Sequence, residues 1–262
     1  MSSVSPERIA ELERGLGETT NLAECLAINQ ASLLEAVLPS LGFGDDVAHV
    51  VAVLRLVEGK GISHQLPAIG SALDQMLRGR KKASGGTVLK QLIQHPSDTV
   101  RSWAAFASIR AAIDIPLSER LESARPFAAD SHFGVREWAW MAVRPYIAED
   151  VIEAVKLLVP WTAEQDPNVR RFAVESTRPC GVWSKHIGLL KSNPSVAEPL
   201  LEPLKTDPSR YVQDSVANWL NDASKTTPKW VKDLCERWEG SGNATTLRIT
   251  KKAMRSLRKV AG

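Results

Sequence analysis

Carboxylates, arginines and asparagines recur at one helical spacing in the second half of this chain, and such a mixture builds either a site or a ladder of ion pairs. Counting from Val100, Val135, Val169 and Val212, the residues two, six and nine places on are Ser102, Phe106 and Ile109, then Glu137, Met141 and Arg144, then Arg171, Glu175 and Arg178, then Asp214, Asn218 and Asn221. Residues so spaced share one stripe of a helix, and here polarity grows toward the C-terminal end. Exposed ion pairs stabilise little, so a dense ladder confined to one end calls for a further reason. Both readings stand. Of the eight tryptophans, Trp103, Trp138 and Trp161 fall where a helix core wants them, whereas Trp219 and Trp183 lie beside the polar stripe. These two read equally as core or as an aromatic platform for a base or sugar.

Other chemistries are missing. The sequence has no P-loop, no GxGxxG and no GxSxG, and His49, His64, His95, His132 and His186 are scattered without ligand spacing. Neither a metal nor a cofactor is expected.

The elements that position the stripe are helices. Apolar residues recur at i, i+3, i+4 and i+7 in stretches such as NLAECLAINQASLLEAVLPSL and KWVKDLCERW, and period-2 alternation is scarce. Four segments share one template of a polar or Pro-containing turn, a valine and a helix: HPSDTVRSWAAFA, DSHFGVREWAWMA, DPNVRRFAVES and DPSRYVQDSVANWL. Their anchor valines are 35, 34 and 43 residues apart, the period of a two-helix unit in a HEAT-type array. The fold predicted is all-α, an α-solenoid of HEAT-like repeats forming one domain over 1–262. Its N-terminal helical part (about 5–85) is joined to the repeat array (about 86–262) by a basic loop in which Ser84-Gly85-Gly86 marks a turn. Asp166-Pro167 and Asp207-Pro208 are expected to cap and start the helices that follow.

The chain's 262 residues carry 33 Lys+Arg and 30 Asp+Glu, values of a folded protein and not of a disordered or collagen-like one. The basic residues are bunched: seven from Arg55 to Lys90 against two acids, including RGRKKASGG, and six from Arg248 to Lys259 against none. Such runs bind a polyanion or form a solvated face. Three cysteines without a CxxC pair argue against a disulfide framework or a structural zinc site, and Cys180 and Cys235 read as inert core thiols. The longest apolar stretch, Val47 to Val57, contains Arg55 and is too short to span a bilayer. A cytoplasmic location with no membrane partner is the expectation.

RRFAVESTRP (170–179) and YVQDSVANWLNDASKTTPKWV (211–231) resemble the HEAT-like DNA alkylation repair glycosylases of the AlkC/AlkD superfamily, and the AlkC type more closely. NLAECLAINQASLLEAVLP (21–39) and RITKKAMRSLRK (248–259) add to the likeness. The resemblance implies a monomeric, cofactor-free α-solenoid that wraps double-stranded DNA in a basic concave groove. It would release N3- or N7-alkylated bases, of the 3-methyladenine, 3-methylcytosine and 7-methylguanine class, without a metal. Carried over, the catalytic carboxylates are Glu175 and Asp222. Asn218, Asn221, Trp219, Glu137 and Asp214 would support them, and Arg136, Arg144, Arg171, Arg178, Trp183, Arg210 and Lys225 would contact DNA.

An alkylated base already carries positive charge and leaves readily. The reaction then needs stabilisation of an oxocarbenium-like sugar and a positioned water, and carboxylates can supply both. The sequence departs from the family at three places. For the immunoglobulin-like domain that many AlkC-type proteins carry after the solenoid, no counterpart is expected. Trp219 stands where the AlkC-type motif ANHLND has His, and REWAWMAVRP lacks the Asp of the AlkD-type Trp-x-x-x-Asp element. A non-catalytic binder of damaged or branched DNA and a HEAT-type protein scaffold remain as the other readings.

Overall fold

The computed structural model describes residues 4–80, 82–110, 115–181 and 183–260. Lys81 of the basic run lies outside the described residues, as do the side chains of Lys82, Arg258 and Lys259. Among the described residues every regular element is helical, as the 3.6-residue periodicity predicts. The chain packs as two compact units, Met1–Ala142 and Val143–Gly262.

The first unit holds α1 (Pro6–Glu13), α2 (Leu22–Ala27), α3 (Gln30–Val37), α4 (Val47–Arg55), α5 (Ile62–Arg78), α6 (Lys82–Ile93), α7 (Asp98–Ile109), α8 (Leu117–Ala128) and the start of α9 (Phe133–Glu149). At its centre α7 is buried along nearly its whole length, packed by α5, α6 and α8. A Cβ at Gly70 would come within 2.4 Å of the Phe106 side chain, so only glycine lets α5 lie this close to α7. The same reasoning corrects the expected turn at Ser84-Gly85-Gly86, which lies inside α6. A Cβ on Gly85 would stand 2.7 Å from the Leu77 carbonyl oxygen, so this glycine serves close helix approach and not chain reversal.

The second unit holds the end of α9 and then α10 (Val151–Leu158), α11 (Pro167–Ser176), α12 (Gly188–Ser192), α13 (Glu198–Leu201), α14 (Arg210–Ala223), α15 (Pro228–Glu239), α16 (Ala244–Ala253) and α17 (Arg255–Val260). The four template segments are α7, α9, α11 and α14, and their anchors Val100, Val135, Val169 and Val212 are all buried. Burying a valine in this way is worth roughly 1.5–3 kcal/mol. The longer third interval has a local cause: between α11 and α14 the chain runs through the 177–187 loop and two short helices, α12 and α13.

The residue after each anchor ties the repeat together. Arg101, Arg136, Arg170 and Gln213 all donate to backbone carbonyls of the turn before their own helix. Arg101 also grips Asp130 with Nε at 2.8 Å and Nη2 at 3.1 Å, and Arg170 grips Asp207 in the same bidentate way at 2.6 and 3.0 Å. Each aspartate accepts the amide two residues on, Asp130 from His132 and Asp207 from Ser209. Asp166 caps α11 ahead of Pro167, as expected. Asp207 differs: α14 starts at Arg210, because Asp207 forms the preceding turn and holds Arg170.

Candidate functional site

Two neighbouring repeats of the second unit bring the predicted carboxylates to one arginine. Glu175 lies near the end of α11, and Arg178 follows just beyond it. On α14, Ser215 and Asp222 are seven residues apart, which places them on one face. The Arg178 Nη1 donates to Glu175 Oε1 at 2.6 Å, and its Nε and Nη2 both reach Asp222 Oδ2, at 2.9 and 2.7 Å. The Ser215 hydroxyl donates to Glu175 Oε2 at 2.6 Å, and Lys225 Nζ donates to Asp222 Oδ1 at 2.8 Å. Both carboxylates are buried, whereas the Lys225 side chain is 50% exposed. Lys225 is therefore the solvent-side partner of the pair.

Two further arginines complete the cluster. Arg171 lies over the Tyr211 ring at 4.3 Å and places Nη2 3.7 Å from Glu175 Oε2. Arg144, at the end of α9, is buried and donates to the carbonyls of Ser176, Arg178 and Lys185. It thereby fixes the backbone that carries Arg178.

Charge in this setting is strongly biased. Burial by itself would push the Glu175 carboxyl up, but Arg171 and Arg178 together with the Ser215 hydroxyl outweigh it and hold the group below its ordinary value. Burial likewise opposes the charge on Arg178, and Glu175 and Asp222 overcome it, so the guanidinium is raised. Burial, then repulsion from Arg178, brings Arg144 down to about 10, still protonated at neutral pH. Glu175 is thus an anion at neutral pH and no proton donor. It can stabilise developing positive charge, and it is unsuited to general acid work.

Other predicted residues lie elsewhere. Trp219 is buried and offers no exposed platform: its Nε1 donates to the Thr177 carbonyl at 3.1 Å and its ring meets Trp230 edge-on at 6.3 Å. Asn221 faces α16 and α17, donating to the Ala253 carbonyl and accepting from Ser256. Asn218 accepts from Arg255, and Asp214 from Arg248 and Lys252. None of these three bonds is to Glu175 or Asp222. Arg210 is exposed at the start of α14. Trp183, in the 177–187 loop, is 51% exposed and has a φ of 57°, a left-handed backbone uncommon outside glycine. In the first unit Arg136 bonds its own turn, and Glu137 accepts from Trp140 Nε1 at 2.7 Å.

Trp103, Trp138 and Trp161 are core residues, as read from their register, and so is Cys235. Cys180 is only partly buried. Burial pushes the Cys235 thiol up to about 12.

Ser215 escaped notice, yet the register carries a signal for it. Three residues past the anchor the first three repeats place Trp103, Trp138 and Phe172, and seven past it Ala107, Ala142 and Ser176. The fourth inverts the order, with Ser215 at the first slot and Trp219 at the second. The bulk moves one turn along α14, and the small hydroxyl left behind reaches Glu175.

Comparison with known proteins shows the family and the fold. Residues 71–257 match the family described as DNA alkylation repair enzyme. A protein of Bacillus subtilis (strain 168), the uncharacterized protein YhaZ, is 38% identical over 138 residues, 53% of this chain and 38% of its own length. Among solved structures, the Pseudomonas fluorescens alkylpurine DNA glycosylase AlkC, bound to DNA containing an abasic site analog, is similar with a TM-score of 0.67 at 22% identity. That likeness covers 97% of this chain and 63% of AlkC. AlkD2 from Streptococcus mutans is similar with a TM-score of 0.58 at 22% identity, over 79% of this chain and 96% of its own. The chain thus spans less than two thirds of the length of YhaZ and of AlkC, and the structural likenesses establish the helical-repeat fold.

Proposed function

The chain belongs to the DNA alkylation repair enzyme family, and we propose that it is a DNA glycosylase that releases cationic N3- or N7-alkylated bases from duplex DNA. The observation that carries this reading is the buried Glu175–Asp222 pair gathered on Arg178, with one carboxylate oxygen of Asp222 held by the half-exposed Lys225. In the reaction the bond from C1′ to the base nitrogen breaks and its electron pair neutralises the base. No general acid is needed for that departure. The positive charge left on the sugar is what a carboxylate stabilises, and water then adds at C1′ with loss of a proton. Asp222 is the group for this role, because Lys225 is half exposed and can turn to a DNA phosphate, freeing Oδ1. Glu175 lies deeper and acts through Arg178 as a positioning residue. Trp183 supplies an exposed ring that favours a cationic base over a neutral one.

One observation favours a second reading, a DNA binder without chemistry: all four oxygens of the pair already have partners, namely Arg178, Ser215 and Lys225. Release of methylated bases from methylated duplex, resolved by base and set beside binding to the same DNA, separates the two. On the glycosylase reading Asp222→Asn lowers release about a hundredfold or more, with binding little changed, and Glu175→Gln lowers it less. Salt-sensitive binding by the wild type with no release of any base would select the binder.

A further inference from the structure

Gln30 is the first residue of α3, and its amide is oriented by a partner that can only donate. The Trp103 indole Nε1 donates to Gln30 Oε1 at 2.8 Å, so Oε1 is the atom turned to Trp103 and Nε2 must look elsewhere for an acceptor. Gln30 is 3% exposed, and its Nε2 is the only buried side-chain nitrogen among the described residues without a hydrogen-bond partner. A donor buried in this state costs folding free energy and calls for an explanation. Gln30 also lines a cavity of about 410 Å³ between α3, α4 and the start of α5, the size of a small-molecule site. Ile28, Val51 and Leu54 give the cavity an apolar lining, and Glu35, Arg55 and Glu58 are its exposed charged residues. Arg55 and Glu58 are three residues apart, the spacing at which Arg8 pairs with Glu11 and Arg125 with Glu122. Among the described residues, however, neither they nor Glu35 make a side-chain bond.

We propose that this cavity binds a purine that carries a carbonyl beside N–H donors, a free base or nucleoside of the guanine type. Three features select that ligand. The Gln30 amide needs an acceptor, whereas the Glu35 and Glu58 carboxylates accept only and need donors. Guanine presents both kinds on one edge, O6 as the acceptor and its ring and exocyclic N–H groups as donors. Ile28, Val51 and Leu54 supply the apolar surface that the ring faces require. Finally, two carboxylates against one guanidinium oppose a phosphate, so the ligand is a base or nucleoside and not a nucleotide. The site lies wholly within the first unit and makes no use of Glu175 or Asp222.

Guanosine titrated into the full chain and followed by isothermal calorimetry tests it. Saturable binding at one site is expected. Adenosine, which has no carbonyl on that edge, should bind about tenfold more weakly, and guanosine 5′-monophosphate should also bind more weakly than guanosine. Glu35→Gln with Glu58→Gln, both at exposed positions, should weaken guanosine by about tenfold at an unchanged melting temperature. Gln30→Leu removes the buried donor and should abolish binding. Because it also takes the acceptor from Trp103, its melting temperature is read alongside, and the exposed pair carries the test should it fold poorly. No saturation by guanosine, equal affinity for adenosine, or an affinity unmoved in the double variant would overturn the proposal. So would saturation by a free amino acid such as leucine with none by guanosine. Release of methylated bases should be the same in the double variant as in the wild type, so failure of this site and failure of the glycosylase reading show in separate measurements.

Discussion

Each unit of the molecule buries a knot of polar side chains, and the two knots are built on different principles. In the first unit Asp98 accepts from the amide and hydroxyl of Thr19, both at 2.8 Å, and the same hydroxyl lies 2.9 Å from the Cys25 sulfur. His132 completes it: Nε2 meets the Thr19 carbonyl at 2.7 Å and the Gly134 amide points at Nδ1 from 3.1 Å. Those partners assign the proton to Nε2. By residue type this is a cysteine, a histidine and an aspartate together, the usual parts of a nucleophilic centre. It is instead a tether, holding the segment before α2 to α7 and α9. Burial pushes the Cys25 thiol up to about 11, and the histidine nitrogens are already committed.

The knot in the second unit has less suggestive parts and is built on ion pairs. Its two carboxylates share one arginine, and one of them bonds the half-exposed Lys225. The contrast teaches that residue type alone does not mark a site. On the proposed function, what would mark it is charge held where burial opposes it, beside a partner exposed enough to leave.

The largest effect expected on this contrast comes from Arg178→Ala. It strands Glu175 and Asp222 without their shared cation, and breaking a buried pair in this way costs about 3–5 kcal/mol, read as a fall in the urea midpoint. A loss under about 1 kcal/mol would mean that the carboxylates are paired well enough by Ser215 and Lys225. Next is Thr19→Val, which removes a buried hydroxyl from Asp98 and should cost about 1–3 kcal/mol while leaving base release unchanged at equal folded protein. A drop in release without a drop in stability would give the first knot a functional part.

The acid limb sharpens the difference. Because the folded Glu175 carboxyl is held below its ordinary value of 4.5, its stabilisation is fully present above that value and is lost as pH falls through the folded one. The melting-temperature gap between the wild type and Glu175→Gln should therefore be constant near neutrality and close below pH 4.5. A gap that widens in acid would reverse the sign of the shift. The smallest effect is that of Trp183→Gly: relief of the left-handed backbone and the added freedom of the unfolded chain are each about 1 kcal/mol and oppose one another. Stability should hardly move. At Trp219, by contrast, truncation to Ala removes a buried ring and costs about 3–5 kcal/mol.

Much of the architecture was legible because it is local. The spacing of apolar residues marks helices, the anchor valines mark the repeat, and Asp166-Pro167 marks a helix start, since each depends on a few consecutive residues and elementary backbone preferences. The site was legible only in part. Glu175 and Asp222 were nominated by resemblance, and the structure does bring them together. Their partner Ser215 was hidden in a core slot, visible only as a break in the register of the other repeats.

By itself, then, the sequence determined an all-helical repeat chain, its anchors, and which stripe of each helix is polar. Only the tertiary structure decided whether that stripe meets water or another helix. The stripe that starts at Asp214 faces the cations of α16, the one that starts at Arg171 closes on α14, and Arg136 and Arg144 spend their donors on backbone carbonyls. The reason is physical: a helix's own periodicity sets which side chains share a face, but the cost of burying a charge depends on what the neighbouring helix offers it. That offer comes from residues tens of positions away, such as Ser215 for Glu175 and Arg248 for Asp214.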